Sequence, residues 1–194
     1  MVPPLLTPPQ KALKRVLAIA RFDSLSIMIL AGLSLLLALV MVEPMGLTVS
    51  ALAFFAGLTE RRGCAALQRG DAGTGMKRLV QAQLFLLVVI LVYCARCLFS
   101  FDAGFLQDQI IPELNQWMPA LLGLTFQEFL QESGLTVDEL VAMAQTTFML
   151  FYGIVAAVSV LFQGGLALYY RRHTPLVAAA LAEPPVVTRQ SPLA

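Results

Sequence analysis

The feature that most constrains this chain is a run of 19 residues, Ser24 to Val42, that contains no charged side chain. At 1.5 Å per residue, a helix of that length is about 28 Å long, close to the roughly 30 Å of a bilayer hydrocarbon core. Composition agrees, because 58% of the residues are hydrophobic and 13% are charged, whereas soluble domains carry about 25% charged residues. We therefore expect an integral membrane protein that contacts the lipid bilayer, and nothing indicates a nucleic-acid partner.

Three further apolar runs follow, at 47–58, 79–101 and 148–170. The run at 47–58 covers only about 18 Å. It therefore crosses a bilayer only if Arg61 and Arg62 extend to the interface, the bilayer thins, or a neighbouring arginine neutralises Glu60. A re-entrant hairpin is the alternative. We predict an all-α polytopic membrane protein with four transmembrane helices, at 24–42, 46–62, 79–101 and 148–172, the last within a helix that begins near residue 137.

The segments between the predicted helices differ in composition. Four prolines in residues 1–10 predict a disordered tail, and basic and apolar residues alternate over 11–22 as in a helix at a membrane surface, so 1–22 is assigned as an N-terminal tail. A loop at 63–78, with a glycine-rich turn at 70–75, joins the second and third helices. Thr174 and Pro175 are expected to end the last helix and to leave 173–194 as a disordered tail.

Residues 102–147 are acidic and predict a small helical extramembrane segment between the third and fourth membrane helices. The motif Gly-Leu-Thr-x-x-Glu occurs there twice, at 123–128 and 134–139. In each copy the threonine hydroxyl accepts from the amide three residues later and the glutamate returns a bond to the threonine amide. This capping box predicts helices that start at Phe126 and Val137, the first of them ending near Gly134.

Charge predicts the orientation of the chain. Twelve of the 13 lysines and arginines fall on one side of the predicted spans, and eight acidic residues fall on the other. Lysine and arginine are retained on the cytoplasmic side. Both termini and the loop at 63–78 are thus expected in the cytoplasm, with the acidic segment outside, as in a bacterial inner membrane.

The basic residue that does not fall on the cytoplasmic side is Arg96, which lies inside the third predicted span, five positions before its end. It is a candidate binding residue, or an anchor that pairs with Asp102 or another outer acid. Cys94 and Cys97 flank it at the spacing of redox pairs and are candidate catalytic residues for thiol chemistry. Membrane thiol oxidoreductases of the disulfide-bond-forming and vitamin-K-epoxide-reductase types resemble this chain in span count, but a second outward cysteine pair is lacking here.

Other polar residues at span depth favour helix packing. Gln81, Gln83 and Gln163 can form hydrogen bonds between helices. His173 lies beside two arginines at the expected end of the last helix and has no partner ligand in sequence, so neither a metal site nor a cofactor is predicted. No serine-histidine-acid set and no paired membrane carboxylates are predicted, which argues against hydrolysis and against a proton-driven pump.

These patterns favour a non-enzymatic accessory or structural subunit of a membrane assembly. A thiol-disulfide oxidoreductase that uses Cys94 and Cys97 is one alternative, and a small channel, holin-like or transport component is another. The last predicted span carries a face of small residues through which a membrane partner or a second copy of the chain could approach closely. These residues are Gly153, Ala156, Ala157, Gly164 and Gly165.

Overall fold

The structure is a computed structural model that describes residues 7–100 and 111–182. Within these ranges the chain is helical and contains no strand. Three of the helices, the first, third and last, are long and apolar enough to cross a membrane. The helices are α1 (Pro8–Val40), α2 (Pro44–Gln68), α3 (Ala72–Phe99), α4 (Ile111–Leu122), α5 (Phe126–Ser133) and α6 (Val137–Ala182).

The chain divides into two compact units. The first contains residues up to 90 together with those from 159 onward, and it therefore holds α1, α2, most of α3 and the later part of α6. The second contains residues 91–158, with α4 and α5.

Helix α1 begins earlier than the prolines suggest. Thr7 caps it by accepting from the Gln10 amide, and the Gln10 side chain accepts from the Thr7 amide. Pro8 and Pro9 take the first helical positions, where a missing N–H group costs little. The prediction of a disordered segment up to residue 10 is therefore wrong at residues 7–10, and residues 1–6 lie outside the described ranges.

The basic segment at 11–22 is the first part of the continuous helix α1, rather than a separate surface helix. Val16 and Ala20 are fully buried in the core of the first unit. Their burial explains the difference, because apolar side chains that face other helices hold this segment inside the bundle.

Helix α2 starts immediately after a short turn, with Glu43 as its N-cap and Pro44 at its first position. It runs to Gln68 without interruption and packs along α1. Only residues 69–71 separate it from α3, and Gly70 takes a left-handed φ of 88° there. The predicted loop at 63–78 is therefore mostly helical.

Gly63 of α2 and Gly75 of α3 let these two helices approach closely. A Cβ atom on Gly75 would lie 2.6 Å from the Leu67 side chain and 3.1 Å from the backbone oxygen of Gly63. The core of the first unit is built around this crossing, from side chains of α1, α2, α3 and α6. Its buried members are Val16, Ala20, Cys64, Leu67, Met76, Leu79, Tyr170 and Val177.

Helix α6 continues through Pro175 to Ala182, so the prediction that Thr174 and Pro175 end it is wrong. A proline inside a helix removes one backbone hydrogen bond. Val177 and Ala180 are buried beyond it, and this burial offsets the loss. Of the tail predicted to be disordered, 173–182 is helical and 183–194 lies outside the described ranges.

In the second unit the predicted helix starts at Phe126 and Val137 are confirmed. Thr125 accepts from the Glu128 amide at 3.3 Å, and Glu128 accepts from the Thr125 amide at 2.7 Å. The same pair of bonds joins Thr136 and Glu139. Helix α5 ends at a left-handed Gly134, as predicted.

Candidate functional site

Four polar side chains meet inside the first unit, one from each of its long helices. Asp23 comes from α1, Glu60 from α2, Gln83 from α3 and Tyr170 from α6. Glu60, Gln83 and Tyr170 have no solvent exposure, and Asp23 is 8% exposed. We call these four residues the polar cluster.

A glutamine amide joins the two carboxyl groups of the cluster. Gln83 Nε2 donates to Asp23 Oδ2 at 2.6 Å and to Glu60 Oε1 at 3.0 Å. The Tyr170 hydroxyl donates to the same Glu60 oxygen at 3.1 Å. Both hydrogens of the amide and both lone pairs of Glu60 Oε1 are thereby used.

Two carboxylates that share one amide donor in a buried site cannot both carry a charge without strong repulsion. Glu60 Oε1 accepts two hydrogen bonds, whereas the buried Oε2 has no hydrogen-bond partner, so Oε2 is the oxygen free to take a proton. The pair of carboxyls can therefore hold one proton in total and retain one negative charge.

Basic residues do not neutralise this charge. Among the described residues no lysine or arginine is bonded to either carboxyl, and Arg61 and Arg62 are exposed while Glu60 is buried. Of the alternatives considered for the second span, neutralisation of Glu60 by an arginine is therefore not what the structure shows. Helix packing explains this, since Glu60 faces α3 and α6, whereas the residues that follow it turn away.

Arg21, a basic side chain of α1 two residues before Asp23, is bonded elsewhere. It donates to the Gln68 side chain when that amide is oriented so that both groups are satisfied, with 2.6 Å between Arg21 Nη2 and the amide oxygen. Arg21 and Glu60 both lie within electrostatic reach of the Cys64 thiol, which is buried one turn beyond Glu60.

A groove of about 610 Å³ opens beside the cluster, between α1 and α6. Asp23 and Gln163 are its buried polar residues, each 8% exposed, and Gln163 Oε1 has no hydrogen-bond partner. Much of the remaining wall is apolar, formed by Ile19, Phe22, Ile27, Leu30, Phe162 and Leu166.

The polar cluster contradicts the prediction that paired membrane carboxylates are absent. A signal was present in the sequence once α2 is continued to Gln68. Glu60 then lies on the helix face that also holds Gly57, Cys64 and Leu67, all of them buried. Asp23 immediately precedes the charge-free run, and its long-range partner Gln83 could not be inferred from spacing.

The cysteine and arginine candidates lie in the second unit, apart from the carboxyl pair in sequence and role. Cys94 is 1% exposed, Cys97 is partly exposed and faces the Tyr152 hydroxyl, and all three cysteines of the chain are free thiols. Arg96 is exposed in the last turn of α3. Its expected partner Asp102 lies outside the described ranges.

The other polar residues singled out from the sequence lie partly in contacts between helices and partly on the surface. Gln83 does bond between helices, whereas Gln81 is exposed. His173 lies inside α6, where Nδ1 meets the Tyr169 carbonyl oxygen at 2.9 Å, so it does not mark the end of that helix. Within the described ranges no group of three histidine, cysteine or acidic side chains is placed to hold a metal ion.

Fold and site together define a class: an all-helical protein with three helices able to cross a membrane and a buried carboxyl pair in its first unit. Comparisons with protein-family models, curated proteins and solved structures found no match to this chain.

Proposed function

We propose that this protein is a small proton-binding transport component of a membrane, in which Asp23 and Glu60 share a proton. The observation that carries the proposal is the single Gln83 amide bonded to both carboxyls inside the bundle. Ionisable side chains buried in membrane helices are costly and mark proton or substrate pathways more often than structural contacts. The acidic pair therefore outweighs the composition that had favoured an accessory subunit.

The proposed topology has four membrane-spanning helices, with α2 as the fourth, and places both termini on the cytoplasmic side of a bacterial inner membrane. The cluster supports this topology. Asp23 directly precedes the charge-free run of α1, Glu60 follows that of α2, and Tyr170 directly precedes Arg171 at the end of the apolar part of α6. Helices that alternate in direction bring such positions to one level, here the inner end of the spans.

Infrared spectroscopy of the full chain in lipid vesicles tests the proton site. A protonated carboxyl group has a carbonyl stretch that ionised carboxylates lack, so wild-type protein should retain this band at neutral pH. Glu60→Gln should remove it, while Glu43→Gln, which changes an exposed carboxyl, should leave it unchanged. A wild-type spectrum without the band, or a band that persists in both Glu60→Gln and Asp23→Asn, would contradict the proposal.

Transport is tested with the same vesicles, loaded with a pH-sensitive dye and placed under an imposed membrane potential. Wild-type protein should move protons faster than protein-free vesicles do, and Glu60→Gln should reduce the rate at least about tenfold, the order of effect expected when a proton-transfer group is lost. Equal rates in wild-type and protein-free vesicles would contradict transport and favour the second candidate.

The second candidate is an accessory subunit that contacts a membrane partner or another copy through the small-residue face of α6. The observation in its favour is that Cβ atoms built on Gly153, Gly164 or Gly165 meet no atom within 4 Å. Substituting leucine at Gly165 should disrupt such an association, measured by crosslinking in membranes, and should leave the infrared band in place.

A further inference from the structure

The groove between α1 and α6 has an apolar wall and a polar base. Phe22, Leu30 and Phe162 are all more than half exposed along it. Asp23 and Gln163 form the base, where each is more than nine-tenths buried. A ligand that fits must therefore combine an apolar body with one small polar end.

The base offers acceptors. Asp23 presents a carboxyl group, and Gln163 presents Oε1, which is buried without a partner. The third polar side chain of the groove, Ser26, already donates its hydroxyl to the Phe22 carbonyl oxygen at 2.9 Å, so it too has only acceptor capacity left. A donor group on the ligand would therefore satisfy the Asp23 carboxyl and the unpartnered Gln163 Oε1 together.

The charge at the base of the groove further restricts the kind of ligand that can bind. With one proton shared between the carboxyls, the base carries one negative charge, and within the described ranges no basic side chain is bonded to it. Arg21, two residues before Asp23 in α1, is directed at Gln68. A buried charge without a counter-ion is costly, so a cationic donor is favoured over a neutral one.

We propose that this groove binds a lipophilic primary ammonium ion, with its N–H groups donating to Asp23 and to Gln163 Oε1 and its hydrocarbon chain on the apolar wall. The inference rests on the proposed function, because the same carboxyl pair is the exchange site. A second proton on the pair removes the negative charge and releases the ammonium ion, so one proton enters for each cation that leaves.

Four other groups that titrate or carry charge lie around Asp23 in the described part of the chain. They are Glu60 and Cys64 on α2, Tyr170 on α6 and Arg21 on α1. Helix α3 contributes the neutral Gln83. The carboxyl pair is thus the part of this set that should govern how binding depends on pH, and affinity should fall as a second proton binds to the pair.

Calorimetric titration of the purified full chain with hexylammonium chloride tests the inference, and hexanol serves as the neutral ligand of equal chain length. Hexylammonium should bind at least about tenfold more tightly than hexanol, the order expected for a charge-assisted hydrogen bond. Asp23→Asn should abolish this preference, Gln163→Leu should weaken hexylammonium binding about threefold or more, and Glu43→Gln should change nothing.

Gln163→Leu keeps the result interpretable if Asp23→Asn does not fold, because it leaves the carboxyl pair intact. Equal affinities for hexylammonium and hexanol, or undiminished hexylammonium binding by Gln163→Leu, would overturn the inference. If the infrared band of the shared proton persists in that case, the proposed function stands without this ligand. If the band is absent, the proposed function fails independently of the titration.

Discussion

At the scale of single residues, Gln83 is the side chain on which both buried carboxyls depend. Replacing Gln83 by leucine leaves Asp23 and Glu60 without its donors at positions where both side chains are more than nine-tenths buried. Losing a hydrogen bond to a buried charged group costs more than losing one to a neutral group. We therefore expect the free energy of unfolding to fall by about 3 kcal/mol. The measurement is unfolding of the chain in detergent micelles.

Gln81→Leu is the matched control for that substitution, because Gln81 lies half a turn away on the same helix and is exposed. We expect it to change the free energy of unfolding by less than about 0.5 kcal/mol. Similar values for the two variants would mean that the amide of Gln83 does not hold the carboxyl pair.

The three thiols should differ in reactivity according to their burial. Cys64 and Cys94 are 3% and 1% exposed, whereas Cys97 is partly exposed. A maleimide applied to the folded protein should therefore label Cys97 first and reach the other two only after denaturation. Mass spectrometry of the labelled peptides separates the sites. Labelling of Cys94 and Cys97 only after reduction would reveal a disulfide and favour the thiol oxidoreductase hypothesis instead.

Single residues also show where sequence reasoning reached its limit. The capping threonines Thr125 and Thr136 were identified because their partners are three residues away. The bond between Gln83 and Asp23 joins residues 60 positions apart, and no local pattern records it. Gln83 was correctly assigned to bonding between helices, but which groups it bonds depends on how three helices pack.

Between elements, the close crossing of α2 and α3 depends on Gly75. Alanine there would place Cβ 2.6 Å from Leu67 and 3.1 Å from the Gly63 backbone, and the backbone cannot yield as a flexible side chain can. We expect Gly75→Ala to destabilise the protein by about 1 to 3 kcal/mol, as overpacking does. Thermal unfolding in detergent measures the change.

The control for this crossing is Gly73→Ala, two residues earlier in α3. A Cβ atom at Gly73 would meet only an Asp71 carboxylate oxygen, at 3.8 Å, and alanine favours a helix more than glycine does. This variant should be neutral or slightly stabilising. If Gly75→Ala proved equally harmless, the helices would have to lie further apart than described.

The start of α6 should depend on pH through its capping box. The Thr136 amide and hydroxyl donate to Glu139, which lowers the pKa of that carboxyl below its ordinary value of 4.5. Because the folded pKa lies below the unfolded one, the contribution of the box is complete above about pH 4.5 and is lost as the pH falls through the lowered value. Hydrogen exchange of residues 136–142, corrected for intrinsic rates, should show this loss of protection.

Glu139→Gln distinguishes a charge effect from general acid unfolding. Glutamine can complete a capping box and does not titrate, so the variant should keep its protection across the same pH range. If both proteins lost protection together, the carboxylate would not be the cause.

The ends of helices were harder to predict where proline was involved. Proline was interpreted as a breaker at Pro8 and Pro175, yet the first position of a helix tolerates it and buried contacts carry α6 past the second. The two errors have different physical origins. At Pro8 a local rule was overlooked, because proline fits the first position of a helix capped by Thr7. At Pro175 the local backbone preference is smaller than the free energy gained by burying Val177 in the core, and that gain is visible only after the helices are assembled.

At the scale of the whole molecule, the arrangement of charge predicts a four-span topology that the position of α2 can test. Five basic residues fall between the second and third predicted spans and favour the cytoplasmic side. The native cysteines are first replaced by alanine, and one new cysteine is then introduced in each loop. Reaction with a membrane-impermeant maleimide shows on which side of the membrane that loop lies. Suitable exposed positions are Glu43, Gln68, Ser133 and Ala182.

We expect labelling from outside intact cells at Glu43→Cys and Ser133→Cys, and at Gln68→Cys and Ala182→Cys only after the membrane is opened. If α2 re-entered instead of crossing, Gln68→Cys would be labelled from outside. Glu60 would then lie at the outer end of the membrane, a full span away from Asp23 at the inner end of α1. The Gln83 amide could not bond both carboxyls in that case, so labelling of Gln68→Cys from outside would contradict the proposed proton site as well as the topology.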